Sequence, residues 1–280
     1  MSEIEIRSDK KQELLERGFC RFESILSPDL LYRLRAVTDR MLSEQSEEHA
    51  ARTRSQGSMF LTTADPIFVE LIALPEAVNC LRSLGYPNPT FTDGYIISKP
   101  GYSPRLFWHY DWFAWEDDRS YEIEPPQVFF MYYLSDTRRE NGCLRVIPGS
   151  HIRHNPLHDQ LLEPHSRELG EAKNLTLPEF SDRPDEVDVP VKAGDLLIGD
   201  ARLLHASHSN DTGERRTLIT LWYQPNFAEM LERMQAQMVA KTQRLPESWS
   251  AEARALLEPL LPRYEGNAEP YPRTLYRRRD

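Results

Sequence analysis

The pattern of apolar and polar positions changes period near residue 90. Before it, apolar residues recur mostly at helical spacing; after it, they come in short runs punctuated by turn residues. Residues 9–17 read as a short helix ended by Gly18, and Phe19 to Phe22 as a strand. Ser27-Pro28-Asp29 is a helix start, with Ser as cap and Pro at the first helical position. Leu30, Leu31, Leu34, Val37, Met41 and Leu42 follow at helical spacing. The polar stretch from Ser43 to Ser58 reads as a mobile loop or a frayed helix end. A further helical segment runs from Pro66 toward Leu84, where Gly85-Tyr-Pro-Asn-Pro89 stops it.

Strands dominate from Thr90. Phe91 to Ile97 is the first, and Lys99-Pro-Gly101 turns the chain into a second from Leu106 to Phe113. Gln127 to Leu134 is almost continuously apolar, as in a strand buried on both faces. Asn141-Gly142 reads as a turn, with Cys143 to Ile147 as its return strand. Residues 151–186 are polar and irregular, the signature of a lid or binding loop. Val187 to Val191, Leu196 to Ile198 and Thr217 to Tyr223 complete the strands. Two helical segments follow Phe227, one to about Lys241 and one from Ser248 to Leu261, before a basic tail, Arg277 to Arg279, read as solvated. This order predicts a mainly β protein, a sandwich or barrel with flanking α-helices. It predicts one domain over 1–280, with a helical flank at about 1–89, a β core at about 90–225 and a helical extension at about 226–280.

Composition narrows the class. Hydrophobic residues make up 40% and charged residues 28%, as in a soluble globular protein. No apolar run is long enough to span a membrane, and the first residues lack an apolar signal core. The three cysteines, Cys20, Cys80 and Cys143, are scattered and predict neither a disulfide framework nor a zinc ribbon; a cytoplasmic setting is expected. A net charge of -10 argues against nucleic-acid and anionic-membrane partners, leaving a small molecule as the expected partner. Oligomeric state is not legible.

The chemistry sits in Phe107-Trp108-His109-Tyr110-Asp111-Trp112. On an extended strand His109 and Asp111 share a face, so an imidazole and a carboxylate converge. A second imidazole comes from Asp200-Ala-Arg-Leu-Leu-His-Ala-Ser-His208, as either His205 or His208. Two His and one carboxylate with open positions form the facial triad of non-haem Fe(II) oxygenases, although zinc uses the same donors. A co-substrate carboxylate would need a guanidinium fork, which Arg215 or Arg216 can supply. Alternation alone decides neither pair.

His109-Tyr-Asp111, Asn141-Gly-Cys-Leu-Arg-Val-Ile-Pro-Gly-Ser-His151, Gly194-Asp-Leu-Leu197, and His205-Ala-Ser207 with Asn210 and Arg216 together resemble the phytanoyl-CoA dioxygenase family. Lys99-Pro-Gly followed by Phe-Trp-His-x-Asp is similar to its ectoine hydroxylase branch. The resemblance covers about residues 10–225. It implies a double-stranded β-helix, or jelly roll, and an enzyme that uses Fe(II), 2-oxoglutarate and O2. It further implies His109, Asp111 and His205 as iron ligands, with Arg216 and Ser207 on the distal carboxylate of 2-oxoglutarate. Many members carry Trp where Met131 stands. Related halogenases replace the carboxylate ligand by a small residue, so Asp111 implies hydroxylation or another oxidative outcome on a small metabolite or natural-product intermediate. Trp112, Trp115, Gln127 and Met131 are the expected substrate-facing residues. His151 is read as structural, and His154, His158 and His165 as members of a solvated loop. An acyl-CoA hydroxylase, a non-catalytic jelly-roll binding module and a zinc enzyme on a cupin-like barrel are the alternatives.

Overall fold

A computed structural model of the chain describes residues 6–242, 244–272 and 277. The elements, in order, are α1 (Ser8–Arg17), β1 (Phe19–Phe22), α2 (Pro28–Ser43), α3 (Glu47–Arg52), β2 (Phe60–Leu61), α4 (Ile67–Ile72), α5 (Pro75–Ser83), β3 (Thr90–Lys99), β4 (Leu106–His109), β5 (Val128–Tyr133), β6 (Leu144–Val146), α6 (Arg167–Gly170), β7 (Val187–Val189), β8 (Leu196–Asp200), β9 (His205–Ser207), β10 (Arg216–Gln224), α7 (Glu232–Lys241) and α8 (Ala251–Leu257). The strands form two antiparallel sheets. The major one runs β1-β8-β5-β10-β3-β2 and the minor one β4-β9-β6-β7. This is a jelly-roll core with flanking helices.

The major sheet is two-faced because its strands alternate. On β10, Ile219, Leu221 and Tyr223 join Phe130, Tyr132, Ile96 and Ile198 in a core covered by α2, α4 and α5. The helical stripe expected on α2 packs here through Leu30 and Leu34, and Ser27 caps the helix by accepting from the Leu30 amide. The opposite face, with Arg216, Leu218, Thr220 and Trp222, looks toward the minor sheet and lines the cavity between the two. β5 is buried along its whole length, as its composition predicts.

Several expected elements differ. The Pro66 segment is two helices, broken where Leu74-Pro75 restarts the chain. Residues 141–142 do not close a hairpin: β5 lies in the major sheet and β6 in the minor, so this turn carries the chain across the sandwich. The stretch 43–58 is ordered against β3. It contains α3, capped by Ser46, and its buried end accepts the Lys99 ammonium at the Ser55 carbonyl (2.8 Å). Gly57 fits there with φ +99, where a Cβ would stand 2.0 Å from the Ser98 carbonyl oxygen. Arg277, expected in a solvated tail, instead donates to the carbonyl of Ile152 (2.9 Å) and lies over Trp115 and Tyr121. Arg278 and Arg279 lie outside the described residues. Among the described residues no helix is long and apolar enough to cross a membrane.

Candidate active site

Strand pairing brings the two histidines together. β4 and β9 are antiparallel neighbours, and His109 and His205 are direct partners in their register, with ring centroids 4.2 Å apart. Each imidazole is turned the same way. His109 Nδ1 bonds the Phe107 carbonyl and His205 Nδ1 the Leu203 carbonyl, both at 3.0 Å. A carbonyl only accepts, so Nδ1 carries the proton and Nε2 is left with its lone pair. Both Nε2 atoms face Asp111, at 3.6 Å from Oδ1 for His109 and 3.9 Å from Oδ2 for His205. One ligand atom from each of the three residues falls within 4.8 Å of the others. Burial, with His205 and His165 beside it, holds His109 well below the ordinary imidazole range. It is therefore neutral, the form that ligates metals.

Asp111 is not placed by strand alternation. β4 ends at His109, and the amides of Asp111 and Trp112 both donate to the Ala201 carbonyl (2.8 and 2.9 Å), just beyond β8. The carboxylate is then oriented by Trp222, whose Nε1–H donates to Oδ2 at 2.9 Å. Trp222 was not singled out from the sequence, where it reads as one more apolar strand residue.

His208 is on the other side of the strand. Its Nε2 sits 2.6 Å from Asp188 Oδ1, in a separate cluster with Cys143. The arginines separate similarly. Arg216 is buried at 3% exposure and lines the cavity, and its Nε and Nη1 have no hydrogen-bond partner among the described residues. Burial lowers its pKa despite Tyr133 and Cys143 nearby. Arg215 points away and donates to Ser98 Oγ at 3.4 Å. Ser207 Oγ and Thr220 Oγ1 also line the cavity, buried and without a partner among the described residues. Buried polar groups are rarely left unsatisfied, so this cluster of orphaned donors fits an anionic, oxygen-rich ligand beside the triad. Asn210 stabilises the approach to β10 by bridging the carbonyls of Pro100 (3.1 Å) and Glu214 (2.7 Å).

The cavity measures about 560 Å³ and includes Gln127 and Met131 in its walls. Trp112 and Trp115 are not in those walls. Because the chain leaves the ladder after His109, both turn into the aromatic cluster behind the site. There Trp112 donates to Ser120 Oγ (2.8 Å) and Trp115 to the Trp112 carbonyl (3.1 Å). Of the three loop histidines, His158 alone departs from the expected solvated setting. His158 is buried in a capping box with Asn155, and His165, at φ +62, lines the cavity with its ring 5.7 Å from that of His109. His154 and His165 are both exposed. His151 is structural as expected, bonded through Nε2 to the Leu15 carbonyl (3.0 Å).

The family model described as "Phytanoyl-CoA dioxygenase (PhyH)" matches residues 14–218. An ectoine dioxygenase of Nocardia farcinica is 24% identical over 233 residues, 78% of this chain and 77% of that one. Phytanoyl-CoA dioxygenase 1 of Oryza sativa subsp. japonica is 27% identical over 159 residues, 56% and 52% of the two chains. Among solved structures, EctD from S. alaskensis with 2-oxoglutarate and 5-hydroxyectoine superposes at a TM-score of 0.58 and 20% identity, covering 80% of this chain and 78% of that one. The epimerase SnoN, in complex with Fe3+, alpha ketoglutarate and nogalamycin RO, gives 0.58 at 19% identity over 78% and 82% of the chains.

Proposed function

The chain belongs to the phytanoyl-CoA dioxygenase family, and from that premise we propose how its residues carry out 2-oxoglutarate-dependent oxidation of a small molecule. It is a non-haem iron oxygenase whose cofactor set is Fe(II), 2-oxoglutarate and O2. Bound Fe(II) supplies the redox chemistry that couples release of CO2 and succinate from 2-oxoglutarate to oxidation of a substrate C–H bond.

In this reading His109, Asp111 and His205 hold the iron, and the observation that carries it is the convergence of their donor atoms within 4.8 Å. The backbone carbonyls of Phe107 and Leu203 fix the imidazole tautomers, and Trp222 fixes the carboxylate. Arg216 and Ser207, with their orphaned donors, take the distal carboxylate of 2-oxoglutarate. Met131 and Gln127 line the space left for the substrate. The buried aromatic cluster of Trp108, Tyr110 and Phe113 backs the site. The cavity volume suits a small metabolite or natural-product intermediate.

The test is succinate formation and O2 uptake with Fe(II), ascorbate and 2-oxoglutarate across amino acids, amines, acyl-CoAs and polyketide-like compounds. The reading expects one compound class to be oxidised in step with succinate, and His109→Ala or Asp111→Ala to abolish this turnover. Absence of succinate from protein shown to hold Fe(II), or normal turnover in either variant, would overturn it.

A further inference from the structure

The cavity has a wall outside the region matched by the family model. That match ends at residue 218, whereas Gln237, Ala240 and Lys241 of α7 and Pro270-Tyr271 all line the cavity. Their spacing explains α7. Gln237, Ala240 and Lys241 stand at i, i+3 and i+4, one helical face, while Met234 and Met238 anchor the helix in the aromatic cluster behind the site. Lys241 directs its ammonium over the Phe113 ring, 3.4 Å from the centroid. Gln237 is different. It is buried to 5% exposure, and its Oε1 has no hydrogen-bond partner among the described residues.

A buried carboxamide oxygen without a donor is unfavourable. Helix α7 packs against β3, which contributes Asp93 and Tyr95 to the same cavity. Gln237 Oε1 is therefore an acceptor unmet among the described residues in this part of the cavity wall, beside the rings of Tyr95, Trp222 and Tyr271. An acceptor beside aromatic faces suits a hydrogen-bond donor, such as a hydroxyl or an amine.

We infer that Gln237 is a substrate-positioning residue, which accepts a hydrogen bond from an amine or hydroxyl on the organic substrate and is supplied by the C-terminal extension of the chain. This rests on the oxygenase reading, and it separates the two ends of the cavity: Arg216 and Ser207 for the anionic co-substrate, Gln237 for the donor-bearing substrate.

The test uses the 280-residue chain loaded with Mn(II) and 2-oxoglutarate. Three probes share one ring and differ in the head group: benzylamine, benzyl alcohol and benzoate. Their affinities are measured by saturation-transfer NMR on the wild type, Gln237→Leu and Gln237→Glu. The amine and alcohol are expected to bind the wild type more tightly than benzoate. Gln237→Leu is expected to weaken them at least tenfold while leaving 2-oxoglutarate affinity within twofold. Gln237→Glu, which keeps the acceptor, is expected to restore the amine. Failure of all probes to bind the wild type, equal affinities in Gln237→Leu, or a glutamate as damaging as leucine would overturn the assignment. Lost 2-oxoglutarate affinity in Gln237→Leu would move the residue to the co-substrate end and overturn it too. Failure of the wild type itself to bind 2-oxoglutarate would instead overturn the oxygenase reading.

Discussion

At the scale of single residues, Trp222 and Arg216 illustrate two kinds of contribution to one site. Trp222 would touch the metal only through Asp111, so its loss should loosen the carboxylate without removing a ligand. Partners that orient metal ligands are typically worth about 10–100-fold in metal affinity or activity. Trp222→Phe should therefore weaken Mn(II) binding by about that factor, read by calorimetric titration, while the fold is retained. Arg216 would be a direct anion contact. Hydrogen bonds to charged groups contribute about 1.5–3 kcal/mol each, so Arg216→Ala should raise the 2-oxoglutarate requirement by about 10–100-fold or more, with metal binding unchanged. Arg215→Ala is the control, because its guanidinium reaches Ser98 and not the cavity. A reversed result, with Arg215→Ala as the damaging variant, would refute the assignment of the anion anchor.

At the scale of elements, the insertion between β6 and β7 carries a pH-sensitive turn. His158 Nδ1 lies 3.0 Å from the Asn155 amide, from which it accepts when unprotonated, and 3.1 Å from the Asn155 carbonyl. Burial first, then the Arg277 charge, lowers the His158 pKa to about 4, against an ordinary 6.5. The folded state thus resists a proton that the unfolded chain accepts. Stability from this group is intact above pH 6.5, is lost as the pH falls, and levels off below about 4, with a span on the order of 3 kcal/mol. Urea midpoints measured from pH 7 to 4.5 should fall less in His158→Asn than in the wild type. Equal slopes would refute the prediction.

The same scale shows what the sequence could and could not reveal. Strand identity was legible where the apolar pattern was strong, as in the runs that became β3, β5 and β10, and so was the convergence of His109 and His205, once the resemblance had chosen between His205 and His208. The route of the chain between sheets was not. A turn at 141–142 looks the same whether it closes a hairpin or crosses a sandwich, because the difference lies in which distant strand accepts the next one. The end of β4 was hidden likewise: the Ala201 carbonyl that captures Asp111 and Trp112 is 90 residues away from Asp111 in sequence. This long-range bond sends Trp112 and Trp115 into the core and leaves their expected place in the cavity wall to residues of α7. Polar composition misled at 43–58, where Ser, Thr and Gln side chains are buried by their hydrogen bonds to β3 and to one another.

For the whole molecule, the site is a set of unsatisfied groups held rigid by two sheets, and occupancy should feed back on global stability. A ligand that binds only the folded state stabilises it by about 2.7 kcal/mol at one hundred times its dissociation constant. In a chain of this size 1 kcal/mol shifts Tm by roughly 2–4 °C, so saturating Mn(II) with 2-oxoglutarate should raise Tm by about 5–10 °C. The pattern among variants matters more than the size. The co-substrate is expected to need both the metal and Arg216, so Arg216→Ala should keep the shift from Mn(II) and lose most of that from 2-oxoglutarate. His109→Ala should lose both. A zinc enzyme on the same scaffold would respond to Zn(II) and stay indifferent to 2-oxoglutarate. Scanning fluorimetry on these three proteins therefore separates the iron oxygenase from its zinc rival before any substrate is known.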